Sequence, residues 1–176
     1  LAKIADERVT ELITQSLKDS HSNVRLKAAE YLGKIADPKS IPALIQGLSD
    51  HNDVVQERVA WALGEIGEPS IPFLVDLLTD KTIRIRNAAT LALSNVGEAA
   101  TASLVGMLKN PNWYTREKAA EALGKICDDR ATDHLIAILQ DEDENTRAKA
   151  AEALGKLENP KAVHPLIRLL DDEDEH

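Results

Sequence analysis

Five histidines and one cysteine are the side chains in this sequence best suited to hold a metal ion or to act as a nucleophile. The histidines are His21, His51, His134, His164 and His176. None of them has a carboxylate or a cysteine at the spacing that metal sites use. Cys127 has no histidine near it in the sequence, and its place at a predicted helix end favours a small buried residue. We therefore predict no catalytic residue, no metal site and no cofactor.

A periodic set of arginines and aspartates is the second group that could do chemistry. The arginines are Arg25, Arg86, Arg116 and Arg147, with Gln56 at the equivalent position of one copy. The acidic series is Asp19, Asp50, Asp80, Asn110, Asp141 and Asp172. A row of arginines could bind an anionic ligand, but residues that bind a ligand need not follow the period of the chain. The pattern favours a structural ladder of Arg–Asp pairs that ties the helix ends of neighbouring repeats together.

The periodic arginines belong to a twelve-residue motif that recurs along the chain. It reads VRLKAAEYLGKI at residues 24–35 and returns at residues 55–66, 85–96, 115–126 and 146–157. Its central leucines, which lie 31, 30, 30 and 31 residues apart, are Leu32, Leu63, Leu93, Leu123 and Leu154. Self-similarity at a fixed period is the sequence signature of a repeat array.

Each repeat predicts two helices joined by a turn. In the first helix, apolar residues follow the 3.6-residue period of an amphipathic helix. In the first repeat they are Val24, Ala28, Tyr31, Leu32 and Ile35, and in its second helix they are Ile41, Leu44, Ile45 and Leu48. Gly67 and Gly97 are typical of left-handed helix ends, and Asn23 is suited to cap a helix at its start. In no stretch do apolar and polar residues alternate in the way that a strand requires.

The repeats divide the chain into a leading half repeat, residues 1–22, and five helix pairs. The boundaries of the pairs are 23–52, 53–81, 82–111, 112–142 and 143–176. One pair cannot bury its apolar faces alone, so the repeats must stack. The sequence predicts a single all-α domain over residues 1–176, a right-handed α-solenoid of about five and a half two-helix repeats. Because Leu1 falls in the middle of a repeat, we expect a fragment of a longer protein whose N-terminal end could self-associate.

The recurring pattern V-R-x-x-A-A-x-A-L-G-x-I, followed by D-x-x-x-x-x-x-L-I-x-x-L, resembles the short HEAT-like repeats of the phycobilisome-lyase type. This resemblance covers nearly the whole chain. It implies that the first helix of each repeat lines a concave binding surface. The alanine pairs of these helices, such as Ala28-Ala29 and Ala119-Ala120, agree with that expectation because small residues let helices approach closely on the inner side of a curved stack.

Two groups of enzymes carry similar repeats. Deoxyhypusine hydroxylase holds two irons with His-Glu pairs that lie six and five residues before the central leucine. The pairs at these positions here are Leu26-Lys27, Glu57-Arg58, Asn87-Ala88, Glu117-Lys118 and Ala148-Lys149, so that iron site is absent from this sequence. Phycobilin lyase subunits would hold a chromophore or its acceptor protein in the groove, and only the analogy of fold supports this alternative.

The solvent-facing positions of the first helices differ between repeats. Repeats one, four and five carry sets of lysine and glutamate, which form a solvated face. In repeats two and three Trp61 and Leu91 replace the glutamate, and repeat four begins with Trp113 and Tyr114. Aromatic residues in a polar surround are typical of the centre of a protein interface. We predict that these four residues bind a partner, with a polar rim of Glu57, Arg58, Glu65, Arg84, Asn87 and Asn95.

The alternative interpretation of the tryptophans is structural. Trp61 could belong to the core between repeats, and Trp113 could serve only as a hydrophobic staple at the start of its helix.

Charge and cysteine content limit the classes of partner. The 176-residue chain has a formal net charge of −9, and the runs Asp141–Glu144 and Asp171–Glu175 contain nine acidic residues between them. The remainder is close to neutral, which argues against nucleic acid as the partner. No apolar run is long enough to span a membrane, and a single cysteine, which excludes an intrachain disulfide, favours the cytoplasm.

These observations favour a protein-interaction scaffold without catalytic activity, which binds a protein or peptide partner in a concave groove. Two alternatives stay open. The first is an accessory or lyase-type subunit that positions a chromophore or a modified protein. The second is nucleic-acid binding, which would need a more basic groove than this mixed set of lysines, arginines and glutamates.

Overall fold

The computed structural model describes residues 7–173, with side chains between residues 9 and 169. Eleven α-helices and five short 3₁₀ turns, and no strand, form this described part. The helices are α1 (Glu7–Ser16), α2 (Ser22–Ile35), α3 (Ile41–Gly47), α4 (Asp53–Ile66), α5 (Ile71–Leu77), α6 (Ile83–Val96), α7 (Thr101–Met107), α8 (Trp113–Ile126), α9 (Thr132–Ile138), α10 (Glu144–Leu157) and α11 (Val163–Glu173). The predicted all-α fold is confirmed.

The first helix of each pair is long and the second is short. Helices α2, α4, α6, α8 and α10 have 14 residues each. Helices α3, α5, α7 and α9 have seven residues and follow directly on a 3₁₀ turn. Of the five 3₁₀ turns, those at Pro38 and Pro160 begin with proline and the turn Glu68–Ser70 has it second. The fixed φ and missing N–H of proline suit the first turn of a helix. The predicted half repeat of residues 1–22 begins outside the described residues, and its second helix is α1.

Polar side chains set the starts of the first helices. The side-chain oxygen Oδ1 of Asn52 accepts hydrogen bonds from the amides of Val54 and Val55 at the start of α4. Asn23, predicted to cap α2, does not do so, because α2 starts at Ser22. The Asp19 carboxylate accepts a hydrogen bond from the His21 amide at 2.7 Å, and this turn starts the helix before Asn23 is reached.

Residues with positive φ end the first helices. Gly67 and Gly97 have the predicted positive φ, 77° each, but their ψ values of −137° and −146° differ from the left-handed helical conformation. Ala36, Cys127 and Glu158 take positive φ without being glycine. The prediction that Cys127 is buried is wrong, because the left-handed cap turns its side chain outward and leaves it exposed.

The chain forms two compact units, Leu1–Ala99 and Ala100–His176. In the first unit α2, α4 and α6 pack in sequence, with α1 on α2, α3 on α4 and α5 on α6. In the second unit α8 packs on α10, α7 on α8 and α9 on α10. In both units a long helix therefore packs on the long helix of the next repeat and on the short helix that precedes it.

Leucine and alanine form the core of both units. The largest fully buried side chains are Leu32, Leu44, Leu48, Leu63, Leu74, Leu78, Leu93, Leu104, Leu123, Leu135, Leu139 and Leu154. Glycine lets neighbouring long helices touch: a Cβ atom on Gly124 would lie 2.7 Å from the Cα atom of Ala153. The close approach of these helices therefore depends on a missing side chain.

Two predicted core positions of α2 are at the surface. Tyr31 is 54% exposed and Val24 is 40% exposed, whereas the residues equivalent to Tyr31, such as Ala62 and Ala153, are buried. The equivalent positions are buried where two long helices pack. The side of α2 that carries Tyr31 faces away from α4, so no long helix among the described residues covers it.

Candidate partner-binding surface

The periodic arginines bind the link that precedes their own helix. In each case Nη1 donates to the carbonyl oxygens six and five residues earlier in the chain. The pairs are Arg25 with Asp19 and Ser20, Arg86 with Asp80 and Lys81, Arg116 with Asn110 and Pro111, and Arg147 with Asp141 and Glu142. These carbonyls lie just after a short helix, so each arginine satisfies acceptors that the helix end leaves free.

Two of these arginines also pair with the aspartate at the far end of their own repeat. Arg25 donates to both carboxylate oxygens of Asp50 at 2.6 and 3.0 Å, and Arg116 does the same to Asp141 at 2.7 Å each. Burial raises the pKa of both carboxyl groups, but hydrogen bonds from the arginine and from a backbone amide outweigh it and leave each pKa below its usual value. The predicted Arg–Asp pairs form at these two positions, but each joins the two ends of one repeat and not two neighbouring repeats. The side chain of Asp172 lies outside the described residues.

Gln56 occupies the arginine position of its repeat, and Arg84 makes one of the hydrogen bonds that an arginine there would make. The Gln56 side chain donates through Nε2 to the Leu48 carbonyl. Arg84, from the following repeat, donates through Nη2 to the Asp50 carbonyl at 2.7 Å and to the Asp53 carboxylate at 2.6 Å. The Asp50 carbonyl lies six residues before Gln56, so it is the group that an arginine at position 56 would bind. Arg84, predicted in the polar rim, thus also has a structural task.

Three long helices carry a glutamate held by two lysines on their solvent side. The sets are Lys27–Glu30–Lys34 on α2, Lys118–Glu121–Lys125 on α8 and Lys149–Glu152–Lys156 on α10, with N–O distances of 2.6 to 2.8 Å. Hydrogen bonds from the lysines lower the pKa of Glu30 and of Glu152 to about 2. The predicted solvated face is confirmed, although Lys118 is only 8% exposed.

On α4 the glutamate of this set is replaced by Trp61, which is half-buried. Its indole lies over the backbone of α2, because a Cβ atom on Gly33 would be 2.5 Å from Cζ3 of the ring. The Arg58 guanidinium lies 5.2 Å from the ring centroid, within cation–π range. Trp61 therefore contacts the neighbouring repeat with one part of its ring and faces solvent with another.

Helices α4 and α6 pack on each other in the first unit. Each of them carries a line of three residues that are spaced four apart in the sequence. On α4 the line is Glu57–Trp61–Glu65, and on α6 it is Asn87–Leu91–Asn95. We call these six residues the α4–α6 strip. Leu91 is half-buried, and the four polar residues are exposed and make no ion pair or side-chain hydrogen bond within the described part of the chain. The two lines are close, because a Cβ atom on Gly64 would lie 2.5 Å from the Cβ atom of Asn95.

Trp113 and Tyr114 lie in the second unit, at the start of α8. Trp113 is 45% exposed, and its ring meets the half-buried Tyr114 ring edge-on, with centroids 5.8 Å apart. The Thr146 hydroxyl of α10 donates to the Trp113 carbonyl at 3.2 Å, which fixes the backbone of this helix start. The two rings form one exposed aromatic pair on that unit.

The described residues contain no group of three or more His, Cys, Asp and Glu side chains arranged to hold a metal ion. Nor does any helix between residues 7 and 173 combine the length and the apolar character needed to cross a bilayer.

Comparison with known proteins identifies the family. The model of the family described as HEAT repeats matches residues 1–63, 41–112 and 101–176 of this sequence. The chain belongs to the HEAT repeat family. The predicted HEAT-like resemblance is therefore confirmed. A search of curated proteins finds no match.

Solved structures with HEAT or related repeats share the fold of this HEAT repeat chain. Importin beta has a TM-score of 0.58 at 19% identity, covering 96% of this chain and 28% of that chain. The CpcE–CpcF complex of phycocyanin lyase from Nostoc sp. PCC7120 has a TM-score of 0.51 at 23% identity, covering 90% and 69%. The archaeal HEAT-like repeats protein from Thermococcus onnurineus NA1 has a TM-score of 0.50 at 21% identity, covering 95% and 80%. At these identities the likeness concerns the fold alone.

Proposed function

We propose that this HEAT repeat chain is a scaffold without catalytic activity, which binds a segment of a partner protein on the solvent side of its long helices. One observation carries the proposal. Where three long helices hold a glutamate between two lysines, α4 and α6 present Trp61 and Leu91, each partly open to solvent. A tryptophan and a leucine left open among polar residues suit the centre of an interface.

The residues around this centre have distinct proposed roles. In the first unit Glu57, Glu65, Asn87 and Asn95 form a polar rim. Arg58 holds the indole of Trp61 in place through its cation–π contact. Arg84 adds a charge to the rim while it supports the link at Asp50.

In the second unit the exposed pair of Trp113 and Tyr114 is a second place of contact for a partner. It joins an apolar ring surface to polar edges, which is typical of residues that contribute much binding energy.

The experiment that tests this function is affinity capture followed by reconstitution of the identified pair. Trp61→Ala with Leu91→Ala removes the apolar centre, and we expect at least a tenfold weaker affinity at a temperature where circular dichroism shows the variant to be folded. Phe73→Ala on α5 is the matched control, because Phe73 is also a large exposed apolar residue but lies on a short helix. Equal losses in the two variants, or no loss in the first, would refute the proposal.

The two alternative functions have no contact among the described residues in their favour. For the chromophore-positioning alternative, we expect no absorbance change when a free bilin is added to the chain. For nucleic acid, we expect no retention on DNA that depends on salt. Either positive result would replace the proposed function.

Self-association at the N-terminal end remains a prediction. Helices α1 and α2 leave several large side chains at the surface, Val9, Leu12, Val24 and Tyr31. Sedimentation of the chain over a range of concentrations tests this, and Leu12→Ser with Tyr31→Ser should then lower the mass.

A further inference from the structure

We propose that the α4–α6 strip selects an extended basic segment, in which two cationic side chains flank one apolar side chain. The inference rests on the proposed function and adds the chemistry of the partner. The cations would pair with Glu57 and Glu65, the apolar side chain would contact Trp61 and Leu91, and Asn87 and Asn95 would bind the backbone of the segment.

The first argument is that two lysines of the second unit have no counterpart at the strip, which leaves its two carboxylates without a cation partner among the described residues. In the second unit, Glu117 of α8 lies close enough to Lys149 of α10 for the two charges to attract. The residue equivalent to Lys149 on α6 is Ala88, so Glu57, the equivalent of Glu117, has no such neighbour on α6. At the other end, Glu65 stands where α8 carries Lys125.

The second argument is the distribution of the remaining charges. Arg58 stacks on Trp61, and it lies close enough to Lys27 of α2 for the two cations to repel each other. The cations near α4 therefore lie towards α2. On the α6 side, Arg84 is paired with Asp53, and the three strip residues of α6, Asn87, Leu91 and Asn95, carry no charge. A basic segment along α4 and α6 would meet carboxylates and amides.

The third argument is spacing. Glu57 and Glu65 are eight residues apart on one helix, which is about 12 Å along its axis. In an extended segment, residues four apart are about 13 Å apart and lie on the same face. The residue midway between them also lies on that face, so it would be directed at Trp61 and Leu91. The amides of Asn87 and Asn95 each offer a donor and an acceptor, as a peptide backbone requires.

The experiment uses peptides of seven residues, which are too short to form a stable helix. The test peptide is Gly-Lys-Ser-Leu-Ser-Lys-Gly, with both ends blocked. Its isomer Gly-Ser-Lys-Leu-Lys-Ser-Gly has the same composition but closer lysines, and Gly-Glu-Ser-Leu-Ser-Glu-Gly reverses the charge. The chain has two tryptophans, so in a Trp113→Phe background the fluorescence reports on Trp61 alone.

We expect a saturable change of Trp61 emission with the test peptide, and an affinity at least about tenfold lower for the isomer and for the acidic peptide. Added salt should weaken binding of the test peptide. Glu57→Lys with Glu65→Lys should reverse the preference in favour of the acidic peptide. Glu11→Lys with Asp76→Lys is the control for net charge, because both residues are exposed on short helices, and it should leave the preference unchanged.

Three outcomes would overturn the inference. They are equal affinity for the basic and acidic peptides, equal affinity for the two isomers, and no binding of the test peptide at about 5 mM. If a reconstituted partner still requires Trp61 while the peptides give one of these results, the proposed function stands and only the basic specificity fails. If loss of Trp61 and Leu91 leaves the partner bound, both fail.

Discussion

Arg116 and Asp141 join the two ends of one repeat through a pair of parallel hydrogen bonds, Nε to Oδ2 and Nη2 to Oδ1, each 2.7 Å long. Both side chains are buried. The same guanidinium donates through Nη1 to the carbonyls of Asn110 and Pro111. One side chain thus connects the link before its own helix with the link before the next one.

Breaking this pair should destabilise the chain. Asp141→Asn removes the charge that Arg116 faces, and we expect the free energy of unfolding to fall by about 2 kcal/mol. Asp133→Asn is the control, because Asp133 forms an exposed pair with Lys161 that should contribute little. Urea unfolding followed by circular dichroism measures both. A loss in Asp141→Asn no larger than the loss in the control would contradict the structural role of the pair.

Acid should weaken the fold through the carboxylates whose pKa is lowered. The pKa values of Asp50 and Asp141 lie below the usual value, and those of Glu30 and Glu152 are about 2. An unfolded carboxyl group titrates near 4, so the stability that these groups supply is complete above about pH 5. It is lost as the pH falls through 4 towards the lowered values.

We therefore expect a constant melting temperature between pH 7 and pH 5 and a decline below pH 4. Asp50→Asn with Asp141→Asn should start from a lower melting temperature and lose less of it on acidification. Melting curves at half-unit steps of pH measure the effect. An equally steep acid decline in this variant would mean that other groups cause it.

Substitution by alanine should change the stability of the chain in opposite directions at two equivalent glycines. A Cβ atom on Gly124 would lie 2.7 Å from both Cα and Cβ of Ala153, whereas around Gly155 nothing lies within 4 Å. We expect Gly124→Ala to lower the melting temperature, because backbone must move. Gly155→Ala should raise the free energy of unfolding by about 0.5 to 1 kcal/mol, since alanine is the better helix former. Calorimetry of the two variants compares them directly, and similar melting temperatures would argue against the close contact.

Because Arg84 binds the carbonyl that an arginine at position 56 would bind, we predict that Gln56→Arg compensates for the loss of Arg84. Arg84→Ala leaves the Asp50 carbonyl without its donor, and we expect a loss of about 1 kcal/mol. Gln56→Arg in that background places a guanidinium where the other repeats have one, and it should restore most of the loss. The double-mutant cycle with urea unfolding measures the coupling. Strictly additive effects of the two changes would show that the residues act independently.

The periodicity of the sequence was sufficient to predict the helices. The spacing of the apolar residues fixes which side of a helix is buried, and Leu32, Leu63 and Leu154 all lie in the core. Tyr31 and Cys127 were placed wrongly for a physical reason. Burial of Tyr31 depends on whether another long helix covers its side, and the exposure of Cys127 follows from its left-handed backbone. A repeat pattern reveals neither.

The candidate surface was only partly predictable. Comparison of equivalent positions identified Trp61 and Leu91 as departures from the Lys–Glu–Lys pattern. Their side-chain partners depend on rotamers and on the distance between helices. The sequence therefore gave no sign that Arg58 would stack on Trp61, or that Arg84 would reach back to the Asp50 carbonyl.

The side-chain hydrogen bonds described above reach about one repeat along the chain. The Arg84 contact with Asp50 spans 34 residues, and the Arg25–Asp50 and Arg116–Asp141 pairs each span 25. Because each repeat contacts only its neighbours, folding can begin at any group of adjacent helix pairs and spread along the chain. Repeats that have left the ribosome can therefore pack on one another before the C-terminal repeats are made.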